Sequence, residues 1–145
     1  MKHHLFAYGT LMCEEIFAHV SGISPFTIQS TPASLTGYRR SLVRGECYPA
    51  ITPVKMESQL TTVEGVLYKA IPEPAWTKLD LFEGELYYRD KVIVVSENDN
   101  KYNAMAYIIK PDYRKRLSSA DWELKYFLQE SKARFISEYL HFESE

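Results

Sequence analysis

The chain has few of the residues that mark the commonest functional classes. Only two cysteines, Cys13 and Cys47, occur in 145 residues, far apart, so neither a disulfide framework nor a Cys-x-x-Cys zinc or redox motif is available. Histidine is as sparse: His3 and His4 are adjacent, His19 and His141 are isolated, and no His-Glu-x-x-His occurs. No metal site is expected. There is no phosphate loop and no dinucleotide fingerprint, so no nucleotide cofactor is implied. No run approaches the roughly 18 apolar residues of a membrane-spanning helix. After Lys2 the apolar stretch is short and Glu14-Glu15 follow, unlike a signal peptide, so a cytoplasmic protein is the expectation. The formal net charge of −2 removes the electrostatic reason to expect nucleic acid or an anionic membrane as partner. The basic stretch Lys110 to Arg116 is short, interrupted by Asp112, and reads as a solvated connection.

What is present suits one globular domain over 1–145, as a monomer or homodimer, with 46% hydrophobic and 25% charged residues. Tyrosine is plentiful, 11 against 7 phenylalanines; its apolar body and polar tip serve cores and pocket walls alike.

Repeats, low-complexity tracts and Ser/Gly linkers are absent. Leu5 to Tyr8 reads as a buried strand closed by Gly9, and Glu14 to Val20 as a helix ended by Gly22. Ile28 to Arg44 reads as one bent or two successive strands with a corner at Gly37. Gly45 to Ala50 reads as loop, and Ile51 to Met56 as a strand that Pro53 demotes to an edge. Val63 to Tyr68 is a stronger strand. Pro72-Glu73-Pro74 opens a helix whose Trp76, Leu79 and Phe82 share one face, with Gly84 as terminator. Lys91 to Ser96 and Tyr102 to Ile109 form a hairpin around Asn98-Asp99-Asn100. Asp121 to Phe142 reads as a helix, capped by Ser118 to Asp121, with a stripe of Leu124, Leu128, Phe135, Tyr139 and Phe142. Short strands mixed with isolated helices, without βαβ alternation, predict an α+β fold with a mainly antiparallel, barrel-like sheet.

Two stretches can carry chemistry. Glu83 stands at a predicted helix C-terminus beside an apolar face, where burial and the negative helix end both raise a carboxyl pKa toward general acid–base use. Glu85 competes for that role, and spacing does not choose between them. In the second stretch, Tyr8-Gly9-Thr10-Leu11, a strand runs into a glycine turn whose N–H groups form a concavity for carboxylate or carbonyl oxygen. Glycine there permits a positive φ and close ligand approach.

These residues resemble the γ-glutamylcyclotransferase superfamily in its AIG2-like branch. The resemblance rests on Phe6-Ala7-Tyr8-Gly9-Thr10-Leu11, Tyr48-Pro49-Ala50-Ile51, Val63-Glu64-Gly65-Val66-Leu67-Tyr68, Leu79-Asp80-Leu81-Phe82-Glu83-Gly84 and Tyr88-Arg89. Asp121-Trp122-Glu123 is similar to the tail of plant AIG2-like members. The resemblance implies an α+β barrel-like fold with flanking helices, a C-terminal helix near 119–143 and a cavity at the barrel mouth. It implies that Tyr8, Gly9, Thr10 and Leu11 bind substrate through backbone amides and that Glu83, rather than Glu85, is the proton acceptor. The implied reaction is cofactor-independent closure of a γ-glutamyl group to 5-oxoproline with release of an amine or amino acid. Tyr48, Tyr87 and Tyr88 are candidate pocket walls. Three alternatives remain open: a non-catalytic binding module on the same fold, an enzyme acting on another amide or ester through Cys47 or Thr10, and a protein of purely structural role.

Overall fold

The computed structural model describes residues 3–55 and 61–140. Its strands are β1 (His3–Ala7), β2 (Gln29–Thr36), β3 (Tyr38–Leu42), β4 (Pro49–Pro53), β5 (Thr62–Ile71), β6 (Tyr87–Ser96) and β7 (Lys101–Ile109). Helix α1 (Glu14–Ser21) follows β1 and helix α2 (Glu73–Glu83) follows β5. Five strands close into a barrel in the order β1-β5-β2-β6-β7, while β3 and β4 form a separate two-stranded sheet. Every pairing is antiparallel except β1 with β7, which is parallel and closes the barrel. The fold is therefore α+β with a mainly antiparallel barrel.

Strand alternation divides the apolar residues into two cores. Phe6, Leu67, Val92, Val94, Ala104, Ala106 and Ile108 fill one, inside the barrel. Their neighbours Leu5, Ala7, Tyr68, Tyr107 and Ile109 face outward and form the other with Ile16 and Phe17 of α1 and Trp76 and Leu79 of α2. Gly65 lets β1 and β5 lie close: a Cβ there would strike the Ala7 carbonyl oxygen and the Phe6 ring. The site is built in this outer layer, where β1 ends and α2 ends.

Local signals explain the element ends. Gly22 caps α1 in the left-handed region at φ 76°, and Gly84 ends α2 at φ 73°. Pro72 precedes α2 and Pro74 lies in its first turn, where a missing N–H costs nothing. Gly37, at φ 93°, makes the corner between β2 and β3, and Asp99, at φ 63°, turns the β6–β7 hairpin.

Three expectations are corrected. Pro49 and Ala50, read as loop, begin β4, paired with Leu42 and Ser41. Proline is tolerated as a strand's first residue, since the ladder need not use its missing donor. The same strand stops at Pro53, and Met56 lies outside the described residues. The C-terminal helical run begins at Leu124, not Asp121, and its N-cap Glu123 makes no side-chain cap bond. Asp121 instead accepts from Arg40 Nε at 2.9 Å and from the Trp122 amide at 2.6 Å. The apolar stripe also differs: Phe127, Phe135 and Ile136 are buried, whereas Leu128 and Tyr139 are 43% and 42% exposed. Two stretches, Phe127–Ser131 and Ile136–Leu140, are π-helical. Their i→i+5 bonds widen the turn and rotate the buried face away from a 3.6-residue stripe. Phe142 lies outside the described residues.

Candidate active site

A cavity of about 270 Å³ opens between the end of β1, the start of β4, the C-terminus of α2 and the C-terminal helical run. Glu83 is the last residue of α2 and lines it, half-buried. Burial pushes its carboxyl up to about 8, and the charge of Asp80 adds to the effect. Among the described residues the Glu83 carboxyl has no hydrogen-bond or ion-pair partner. A carboxyl with a raised pKa that borders a cavity is a candidate general acid or base. Asp80 differs. It accepts from the Tyr107 hydroxyl at 2.7 Å and lies 3.6 Å from Arg89 Nε, whose guanidinium stacks over Trp76.

The turn after β1 forms the opposite part of the lining. Tyr8, Gly9, Thr10 and Leu11 all border the cavity, and Thr10–Met12 form a single 3-10 turn. The carbonyls of this segment are occupied: Tyr8 O accepts from Arg40 Nη1 at 2.9 Å, Gly9 O from the Met12 amide at 2.9 Å, and Leu11 O from the Tyr68 hydroxyl at 2.7 Å. Thr10 and Leu11 open the turn, and the first amides of a helical turn have no carbonyl behind them in the pattern. The segment thus has its acceptors engaged and presents donors. Gly9 is not there for a positive φ, as expected from sequence; its φ is −130°. It is there for contact, because a Cβ would lie 2.9 Å from Pro49 Cδ and Cγ.

Tyrosines frame the rest. The Tyr87 hydroxyl donates to Pro49 O at 2.8 Å and the Tyr8 hydroxyl to Tyr107 O at 2.5 Å. Tyr48 lines the cavity edge-on to Tyr139, with ring centroids 5.9 Å apart. Tyr88 does not join them. It is 36% exposed, and β alternation turns it to the face opposite Tyr87, which does line the cavity. Glu85 borders the same cavity but is exposed. Cys47 is buried outside the lining; burial raises its thiol, and its carbonyl accepts from Trp122 Nε1 at 2.9 Å.

Phe135, Tyr139 and Tyr107 complete the walls, and sequence reasoning had not placed them there. Phe135 and Tyr139 read as a helix-docking stripe, and Tyr107 as an ordinary strand residue. No short-range pattern distinguishes such residues from core. Among the described residues, no group of three or more His, Cys, Asp or Glu side chains is arranged to hold a metal ion.

Residues 5–124 match the family model described as gamma-glutamyl cyclotransferase, AIG2-like. The chain belongs to that family. It is 29% identical over 108 residues to AIG2-like protein D of Arabidopsis thaliana, a match covering 73% of this chain and 66% of that protein. Two further AIG2 proteins of the plant are covered over 58% and 61% of their length, so the chain spans less than two thirds of these relatives. In three dimensions, a solution structure from A. thaliana has a TM-score of 0.70 at 23% identity, over 94% of this chain and 79% of that one. A structure described as a gamma-glutamyl cyclotransferase has a TM-score of 0.61 at 16% identity, over 79% of this chain and 75% of that one. These two likenesses show the family fold. No helix among the described residues is long and apolar enough to cross a membrane.

Proposed function

We propose that the protein is a γ-glutamylcyclotransferase that closes a γ-glutamyl amine or γ-glutamyl amino acid to 5-oxoproline, with Glu83 as general acid and base. The observation that carries this reading is the unpartnered, half-buried Glu83 carboxyl sharing one cavity with the Tyr8–Leu11 turn.

The substrate's α-ammonium gives a proton to Glu83, and the freed amine attacks its own γ-amide carbonyl. A C–N bond forms, and Glu83 returns the proton to the departing nitrogen as the γ-amide C–N bond breaks. It then takes the extra proton from the ring nitrogen and passes it to the released amine, which leaves as an ammonium. Burial raises Glu83 to about 8, which brings the carboxylate closer in basicity to the amine it must deprotonate. The turn amides hold the substrate carboxylate and face the oxyanion that develops on the carbonyl. Because nucleophile and electrophile belong to one molecule, the enzyme mainly holds the ring-closing conformer, an orientation effect of several kcal/mol. No metal, nucleotide or covalent intermediate is needed for these steps. Two free buried thiols suit the cytoplasmic setting of the proposal.

The test is 5-oxoproline release from γ-glutamyl-alanine, glutathione, γ-glutamyl-ε-lysine and γ-glutamyl-benzylamide by the wild type and Glu83→Gln. The expected outcome is turnover of at least one substrate, lost in the variant while ligand binding persists. No release from any substrate, with ligands still stabilising the protein against heat, would make the cavity a non-catalytic binding site.

A further inference from the structure

The cavity has a one-sided composition. Among the described residues its lining includes no lysine, arginine or histidine, and its carboxylates are Glu83 and Glu85. With no cation in the lining, a substrate carboxylate is left to neutral donors, the Thr10 hydroxyl and the amides of the turn after β1 among them. Part of the remaining wall is aromatic. Tyr48, Tyr139, Phe135 and Phe82 form a connected chain of rings, with centroid separations of 5.9, 5.0 and 6.1 Å along it. The Tyr139 hydroxyl donates to Glu46 Oε1 at 3.0 Å, which fixes that ring and places another carboxylate behind it.

Ring faces are the negative end of the aromatic quadrupole. A second carboxylate on the ligand would lose its water against rings and like charge, with no cation to receive it. An apolar or aromatic group would instead gain burial. Size agrees: a cavity of roughly 150 Å³ takes a benzene ring, and this one, at about 270 Å³, is compact. Phe135 and Tyr139 also lie beyond residues 5–124, the stretch that matches the family model. Two of the four rings thus come from the C-terminal run.

We infer that the ring chain Tyr48–Tyr139–Phe135–Phe82 is the subsite for the group on the γ-amide nitrogen, and that it selects apolar or aromatic amines lacking a carboxylate. The assignment rests on the cyclotransferase reading: the turn amides hold the α-carboxylate and Glu83 holds the α-amine, so the rings are left for the leaving group. Tyr139 is then a specificity-determining residue.

The experiment has two arms. In the first, calorimetry compares glutaric acid monobenzylamide with glutaryl-glycine; neither has an α-amine, so neither can cyclise. The wild type is expected to bind the benzylamide at least about tenfold more tightly, the effect of burying one ring. Tyr139→Ala should erase most of that preference and Tyr139→Phe should keep most of it. Equal or tighter binding of glutaryl-glycine, a preference untouched in Tyr139→Ala, or binding of neither compound would overturn the assignment. In the second arm, 5-oxoproline release is compared for γ-glutamyl-benzylamide and γ-glutamyl-glycine. Preference for the benzylamide supports the subsite, and preference for the glycine compound overturns it. No release from either or from the other three substrates named above, with the binding preference intact, would sink the cyclotransferase reading and leave the aromatic subsite standing.

Discussion

Tyr107 and Asp80 are joined by a 2.7 Å hydrogen bond from the tyrosine hydroxyl to Oδ1, while the same tyrosine's carbonyl accepts from the Tyr8 hydroxyl at 2.5 Å. One residue of β7 thereby ties the helix that carries Glu83 to the turn that carries the amides. Asp80 is engaged by this bond and by Arg89, and its charge acts on Glu83 one helical turn later. Four predictions follow from the arrangement around these groups.

Removing the Asp80 charge should move the pH dependence of the reaction. Asp80 contributes to the raised Glu83 pKa, so Asp80→Asn lowers it. For the wild type, kcat/KM is expected to rise with pH about a midpoint near 8, where Glu83 is half ionised. In Asp80→Asn the midpoint should lie at lower pH. An unshifted profile measured across pH 5 to 10 would show that Glu83 does not govern it.

Stability should show the same carboxyl with the sign of a raised group. An unfolded glutamate ionises near 4.5, whereas Glu83 in the fold ionises near 8. Between those values the folded chain binds more protons than the unfolded one, so stability falls as pH rises. Glu83→Gln has no such charge to bury. Its Tm advantage over the wild type should therefore be small at pH 4.5 and grow through pH 8, as read by thermal melts in matched buffers.

Gly9→Ala should harm the site through contact rather than backbone strain. The new Cβ would sit 2.9 Å from two Pro49 ring carbons, and both residues line the cavity. Overpacking of this kind costs about 1–3 kcal/mol. Denaturant melts should show that loss, and substrate KM should rise because Pro49 borders the cavity.

Tyr68→Phe should loosen the amide turn while keeping its support otherwise intact. The ring remains stacked on Phe17 at 3.8 Å, but Leu11 O loses its 2.7 Å donor. A buried carbonyl left unpaired costs about 1–3 kcal/mol. Weaker binding of glutarate analogues, with the pH midpoint unchanged, would separate this effect from that of Asp80→Asn.

Legibility in the sequence followed the range of the interaction. Gly22, Gly37 and Gly84 marked ends and corners because a positive φ is a one-residue property. The face of α2 was readable from Trp76, Leu79 and Phe82, because its helix is regular and the three-residue spacing holds. The same reasoning misplaced the C-terminal stripe. There the helix is π-wound in two places, and residue spacing no longer measures angle. Tyr87 and Tyr88 could not be separated from sequence, since alternation says only that they face opposite ways. Which one meets the cavity depends on the pairing of β6 with β7.

The sequence by itself determined the α+β class, most of the element boundaries, and the two short stretches around Glu83 and Gly9 in which the candidate chemistry lies. These follow from local propensity, periodicity and glycine geometry, which act within a few residues. Only the tertiary structure decided that those stretches share one cavity, that Glu83 has no partner among the described residues while Asp80 is bonded, and that Phe135 and Tyr139 form a wall. The barrel order β1-β5-β2-β6-β7 places the end of β1 beside strands far away in sequence. Burial, carboxyl pKa and cavity shape all arise from such long-range contacts, which no local pattern encodes.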